Sequence, residues 1–404
     1  MASQIEKYIR VKSFFITTSM NKINIWELGI KISIKPNKKF LKDINLAITK
    51  LFKSKEKFYN LKIRYKTQIP YQTFKNFLKY SYYNKGCYAP LNSFLLCCGC
   101  LGISKIHLQQ NIESYKTQKG YNVIVSPILP IKITPIFDMI LAHNIADGTV
   151  IDSKRNRQIY FGYRQFDKEV RGLYIKKIES IFGKIKFKKE NYFENSTRSY
   201  CPPVLSQLFF STYNLNKRSF LSKRARIPIE IMHKNKNFLL SVLLAFIIDE
   251  GNIDSTLINI SLKNVNLTED LYKICIKLNY PSKFNIKGEY GKLYILRGGM
   301  KKLFKDYKKL LKKYPEAYLG KSHKKIEEGL KIYNRVFYKT KGNKNIILKM
   351  LELEDLTVNQ IANKINMTRQ GVRFHINNLE DKGEIIKKSF IGKKCILYGI
   401  KGKC

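Results

Sequence analysis

The spacing of apolar and polar positions changes period along the chain, and one order of elements occurs twice. An apolar run from Ile136, with Pro135 placed for a first helical turn, predicts a helix that Gly148 ends in a left-handed cap. Arg157–Phe166 then reads as a strand, and Lys168–Phe182 as a helix with Val170, Leu173, Ile178 and Ile181 on its apolar side. Gly183 stops it, and Ile185–Lys189 alternates as a further strand. The second pass begins with the apolar run Leu239–Ile248. Strand Leu257–Leu262, helix Leu267–Leu278 and strands Ser282–Lys287 and Lys292–Leu296 follow.

The flanks have other patterns. Asn345–Leu353, Thr357–Asn366 and Arg369–Leu379 predict three helices, the last two begun by Thr357 and Thr368. Two strands, Ile385–Lys388 and Cys395–Ile400, come after them. Before residue 125 the segments Phe40–Phe52, Ile69–Phe77, Leu91–Gly102 and Ser104–Ser114 read as helices, so this region is expected to be mainly helical and able to contact DNA. The expected division is 1–125, 126–230, 231–337 and 341–404, and the 404 residues accommodate that many domains.

The repeated apolar runs end alike. Ile140-Leu-Ala-His-Asn-Ile-Ala-Asp-Gly148 and Leu243-Leu-Ala-Phe-Ile-Ile-Asp-Glu-Gly251 each close on an acid followed by glycine. An acid at a helix C-terminus faces the negative end of the helix dipole, at a cost of about 0.3–1 kcal/mol. Two matched acids in that position, Asp147 and Glu250, point to a role for the carboxylates. The small residue Ala142, with Ala146 one turn on, lets two such helices approach closely. Paired carboxylates there suit Mg²⁺, which takes one or two carboxylates and keeps several waters.

Charge narrows the partner. The 76 Lys and Arg against 30 Asp and Glu leave a formal charge of +46, spread over the whole length. A folded chain with that self-repulsion calls for a polyanion, and nucleic acid releases condensed counterions on binding. A Lys-rich composition inherited from an AT-rich genome is the plainer account, but the acids have not risen with Lys. The longest apolar runs are about half of the ~20 residues that a membrane span needs. The N-terminus lacks a signal-peptide core, so a cytoplasmic, nucleoid-associated protein is expected rather than a secreted or membrane one. Residue 1 is no splicing nucleophile and the chain does not end in His-Asn, so a self-excising origin is not expected. Cys87, Cys97, Cys98 and Cys100 crowd one stretch with His107 downstream, and could hold zinc. Their apolar setting favours buried thiols.

The two acid-tipped runs resemble the LAGLIDADG motif of homing endonucleases, over roughly residues 125–335. The resemblance implies an α+β fold of two pseudo-symmetric αββαββα halves whose motif helices form the interface between them. It implies a monomer that binds a long double-stranded DNA site and hydrolyses both strands with Mg²⁺ (or Mn²⁺) held by Asp147 and Glu250. It also implies a basic residue near the site in each half, placed here at Lys223 and Lys321. His143 and Asn144 depart from the apolar consensus of the first motif. Four strands per half would read base edges, and Arg157, Tyr163, Arg164, Gln165, Lys263 and Asn264 are the nominated contacts. The C-terminal module resembles a winged helix-turn-helix. Arg369, Gln370 and Arg373 would face the major groove, and Lys393 and Lys394 in the wing would touch phosphate. A non-catalytic LAGLIDADG and helix-turn-helix transcriptional regulator, and an RNA maturase that assists intron splicing, are the alternatives on the same scaffold.

Overall fold

The computed structural model describes residues 22–28, 31–51, 88–117, 122–153, 158–186, 198–254, 256–333, 342–391 and 395–402. The chain forms two compact units, Met1–Ile253 with Leu257–His323, and Asp254–Thr256 with Lys324–Cys404. Helices and sheets are mixed throughout, an α+β arrangement. Among the described residues no helix is long and apolar enough to cross a membrane.

The N-terminal region holds more strand than its pattern suggests. Short strand β1 (Lys22–Ile23) is followed by β2 (Ile32–Pro36), helix α1 (Lys38–Leu51), β3 (Ala89–Pro90), α2 (Leu91–Cys100) and α3 (Lys105–Gln110). Then come β4 (Ile112–Thr117), β5 (Val123–Val125) and β6 (Ile131–Lys132). The expected helix Ser104–Ser114 is thus half right. It ends at Gln110, and Ile112, Ser114 and Tyr115 turn inward from a strand, with Glu113 outside. The expected helix Ile69–Phe77 lies outside the described residues.

The first acid-tipped run is α4 (Pro135–Ala146), and Thr134 caps it by accepting the Phe137 N–H. It is buried all round, as a helix without a polar face must be. β7 (Gly148–Ser153), β8 (Gln158–Arg164), α5 (Lys168–Phe182), β9 (Lys184–Lys186), β10 (Arg198–Tyr200) and α6 (Pro203–Thr212) follow. A short helix, α7 (Ile229–Met232), precedes the second acid-tipped run, α8 (Lys236–Asp249), which packs along α4. Ala142 and Ala245 are both buried. The second order is then β11 (Gly251–Ile253), β12 (Leu257–Leu262), α9 (Val265–Lys277), β13 (Ser282–Lys287), β14 (Tyr290–Leu296) and α10 (Arg297–Lys313). Helix–strand–strand–helix–strand–strand–helix therefore occurs twice.

The two sheets differ. The second is four-stranded, in the order β11-β12-β14-β13, whereas the first is β10-β8-β7. Its fourth strand, β9, instead pairs with β5 and completes the N-terminal sheet β3-β2-β4-β5-β9. Each half keeps its four strands, but a single four-stranded sheet per half is corrected to sheets of three and four. Ile124 and Ile185, opposite each other across β5 and β9, are buried, so this edge is a core contact and the expected boundary at 125 is crossed by a sheet.

The glycines after the two acids have a different reason from the one expected. Neither Gly148 nor Gly251 has a positive φ. A Cβ at Gly148 would overlap the backbone carbonyl of Asn144, and one at Gly251 that of Ile247. The helix tip and the outgoing strand leave no room for a side chain. Gly148→Ala is therefore expected to lower unfolding stability by about 1–3 kcal/mol, towards the upper end because the obstacle is backbone. Gly148→Asn, which a left-handed cap tolerates, should be at least as damaging. Chemical denaturation of both variants checks this, and a stable Asn variant would restore the left-handed cap.

Helix α11 (Lys321–Tyr333) begins in the first unit and continues into the second, whose remaining elements are α12 (Asn343–Leu353), β15 (Leu356–Thr357), α13 (Val358–Lys364), α14 (Arg369–Asp381), β16 (Ile385–Ile391) and β17 (Cys395–Ile400). The sheet order is β15-β17-β16. Thr357 and Gln360 cap α13 reciprocally, and Thr368 accepts the Gly371 N–H to start α14. Val372, Ile376 and Leu379 of α14 are buried with Ile347, Leu351 and Ile361.

Candidate active site

The tips of α4 and α8 carry Asp147 and Glu250, each half-buried. The Asp147 N–H closes the last turn of α4 on His143 O at 3.0 Å, and the Glu250 N–H closes that of α8 on Phe246 O at 2.9 Å. The chain then enters β7 and β11, so both carboxylates stand where a motif helix meets its sheet. Gln165 Nε2, at the end of β8, donates to Asp147 Oδ2.

The two tips share an electrostatic setting. Burial, followed by the charge of Asp249, pushes the Asp147 carboxyl up to about 7, against the opposing pull of Gln165 and Arg164. Burial pushes Glu250 up to about 7 as well, followed by the charges of Asp147 and then Asp249. The acids repel one another in a partly desolvated place. Unpaired carboxylates so arranged are poised to take up a cation.

Beneath them lies a polar cluster that no motif announced. Asp249, whose side chain is fully buried, accepts the Tyr163 hydroxyl at 2.5 Å and meets His143 Nδ1 at 2.8 Å. Burial raises the Asp249 carboxyl, while the Tyr163 hydroxyl and Lys177 pull it down. Burial, then Lys177, holds His143 well below its ordinary range, so the contact is a hydrogen bond of a neutral imidazole rather than an ion pair. Lys177 is itself buried, which lowers its ammonium to about 8 against the pull of Asp249 and Glu316. Tyr174 stacks on Tyr163 at 4.2 Å and donates to Asn144 Oδ1 at 3.0 Å. The polar departures in the first motif, His143 and Asn144, were the legible sign of this cluster. Asp249 and Lys177 carried none beyond being charged residues in apolar stretches.

Several nominated residues are placed elsewhere. Tyr163 is corrected: its side chain is buried on the helix side of β8, not on the open face of the sheet. Asn264 is corrected too. It caps α9 by accepting the Leu267 N–H at 3.0 Å and donates to Ala225 O at 2.7 Å, leaving it only 7% exposed. Arg164 and Lys263 are exposed, Arg164 against the Phe166 ring and Lys263 against the Tyr290 ring. Lys321 is exposed and paired with Asp167 at 2.5 Å, and Lys223 is exposed in a turn. Arg369, Gln370 and Arg373 share the exposed face of α14 with Phe374, which is 66% exposed. Arg157, Lys393 and Lys394 lie outside the described residues. Of the cysteine cluster, Cys97 and Cys98 are buried, and burial pushes the Cys98 thiol up to about 11, away from the thiolate that zinc requires. Cys87 is outside the described residues. Among the described residues no group of three or more His, Cys, Asp or Glu side chains forms a metal cage.

No family model matches the chain, and no curated protein matches it. Among solved structures it is similar to mesophilic variants of the homing endonuclease I-DmoI, at 14% identity and a TM-score of 0.32, over 44% of this chain and 89% of that one. It is similar to the homing endonuclease I-WcaI bound to its DNA recognition sequence, at 14% identity and a TM-score of 0.32, over 48% and 86%. It is also similar to full-length DUF199/WhiA from Thermatoga maritima, at 10% identity and a TM-score of 0.29, over 61% and 90%. Similarity this remote transfers no activity, so the chemistry has to be judged on this chain's own residues.

Proposed function

We propose that the chain is a monomeric, site-specific DNA endonuclease of the LAGLIDADG type. In this reading α4–α6 and α8–α10 are its pseudo-symmetric halves and the C-terminal unit is a winged helix that adds DNA contacts. The observation that carries the reading is the pair of acid tips: Asp147 and Glu250, half-buried and mutually repelling, at the ends of two helices packed against each other. A regulator that only binds DNA has no use for that electrostatic burden.

The donor set fits a hard divalent ion. Two half-buried carboxylates match Mg²⁺ or Mn²⁺, which complete their shells with water and substrate phosphate rather than with a protein cage. Asp147 and Glu250 would hold it, and when bound it lowers the pKa of water and stabilises charge on the leaving oxygen. The rest belongs to the chain. Gln165 donates to one oxygen of Asp147 and so orients that carboxylate. Arg164, whose charge reaches Asp147, offers a cation to the scissile phosphate. Arg164 and Lys263 on the open strand ends, and Arg369, Gln370 and Arg373 on α14, supply contacts to a double-stranded site. Lys223 and Lys321 remain the proposed basic pair, with Lys321 having to leave Asp167 to serve.

A randomised double-stranded DNA library incubated with the protein and Mg²⁺, with the cut ends sequenced, tests the proposal. Discrete ends that disappear with a chelator are expected. Binding without cutting in Mg²⁺ or Mn²⁺ would overturn it.

A further inference from the structure

Both acid tips are tied to one residue of β8. The Tyr163 backbone lies opposite Gly148, directly after Asp147, and the next N–H, that of Arg164, donates to Asp147 O at 3.1 Å. The Tyr163 side chain reaches the other tip, where its hydroxyl donates to Asp249 Oδ1 at 2.5 Å, one residue before Glu250. The ring that spans this gap is held on two sides, stacked on Tyr174 and edge-on to His143 with 5.4 Å between ring centres. Asp249 is held a second time by His143 of α4. The arrangement is one-sided. In the second half the residue opposite Gly251 is Ile260, which is buried and has no polar side chain.

We propose that Tyr163 and Asp249 act as a spacer that fixes the separation of the Asp147 and Glu250 carboxylates. Two repelling acids at the ends of two apolar helices have no attraction of their own to set their distance. Apolar packing resists separation but is not directional, whereas a hydrogen bond to a buried carboxylate is. Tyr163 thus registers one tip by its backbone and the other by its hydroxyl. What the carboxylates do rests on the nuclease reading; the tie between the tips does not. Tyr163 and Asp249 are positioning residues, since neither is placed to touch substrate.

The test is Tyr163→Phe in the full chain, which keeps the ring and removes only the hydroxyl. Amide hydrogen exchange over residues 247–253 is expected to quicken about 10-fold or more, while the rest of the unit is unchanged. Single-turnover cleavage of a site selected from the library should fall about 10–100-fold, the usual scale for residues that orient metal ligands. DNA affinity in Ca²⁺ should stay within about threefold, because the tie touches no base or phosphate. Asp249→Asn, whose amide oxygen still accepts the phenol, should keep the protection of the tip, and Asp249→Ala should lose it. Unchanged exchange over 247–253 in Tyr163→Phe would overturn the spacer, as would an equal rise across the whole unit. A wild-type protein that cuts no DNA would end the nuclease reading, while the exchange measurements still decide on the spacer.

Discussion

Replacing Asp147 by Asn together with Glu250 by Gln is expected to abolish cleavage and, at pH 8 without divalent ions, to raise the melting temperature by several degrees. The loss follows from the site. With both carboxylates gone nothing holds the metal, and its charge stabilisation is worth several kcal/mol. At about 1.36 kcal/mol per tenfold, that is on the order of 10³-fold in rate or more. The gain in stability follows from the same burial. Both acids sit at about 7 in the fold, above the ordinary 3.8 and 4.5. Below about pH 7 the folded chain keeps protons that the unfolded chain releases. Their stabilising effect is lost as pH rises through about 7, so the metal-free wild type should weaken between pH 5 and pH 8. The amides do not titrate, so the double variant should melt near the wild type at pH 5 and above it at pH 8. Mg²⁺ should raise the wild-type melting temperature and leave the variant's alone. Melting curves at the two pH values, with and without Mg²⁺, check all three. A double variant that melts below the wild type at pH 8 would show that the acids are structural, and residual cutting would place the metal elsewhere.

What could be seen in the sequence was whatever repeats or has a fixed period. The two acid-tipped helices, their succeeding strands and the three helices and last two strands of the C-terminal unit are marked by apolar period, caps and glycine; the two-residue strand Leu356–Thr357 is not. Asp147 and Glu250 were legible because they recur at matched positions. Tyr163 was misread because alternation along β8 tells that neighbours face opposite ways, not which way is inside. The Gln-Ile-Tyr-Phe-Gly-Tyr-Arg-Gln stretch has aromatics on both parities, so either face could be the core. Asn264 was misread because a polar residue between a strand and a helix can equally be a cap, which is what it is. The exchange of β9 into the N-terminal sheet was not legible at all. Strand pairing across some sixty residues leaves no local mark, and β5 is only three residues long. Strand β4 was hidden for a related reason: a short strand directly after a helix looks like its continuation. The buried cluster of Asp249, His143, Tyr163 and Lys177 assembles residues from α8, α4, β8 and α5, and only the packed fold brings them together.

Binding to double-stranded DNA is expected to weaken on the order of 10³–10⁵-fold between 50 and 200 mM salt, the range for a protein that neutralises about 6–10 phosphates. The argument starts from the surplus of 76 basic over 30 acidic residues and from where it goes in the fold. Two buried acids are each matched by a base that still reaches solvent: Lys234 pairs with Asp138 at 2.7 Å and Arg226 with Asp270 at 2.6 Å. Among the described residues the only buried arginine and lysine are Arg171 and Lys177, so the excess there lies on the surface, including Arg164 beside Asp147, Lys263 just after β12, and Arg369 and Arg373 on α14. If the lysines merely reflect genome composition, they are scattered without regard to phosphate spacing and the slope of log affinity against log salt will be shallow. If they line a DNA path, the slope will be steep, and each removed contact will lower it by about one. Arg373→Ala separates the two kinds of contact. As a phosphate contact it would weaken all sequences alike and reduce the slope. As a contact to a base edge it would cost about 1–3 kcal/mol at one position of the selected site and leave the slope nearly unchanged. An affinity that hardly changes over that salt range would remove nucleic acid as the partner that balances the charge, and the endonuclease reading with it.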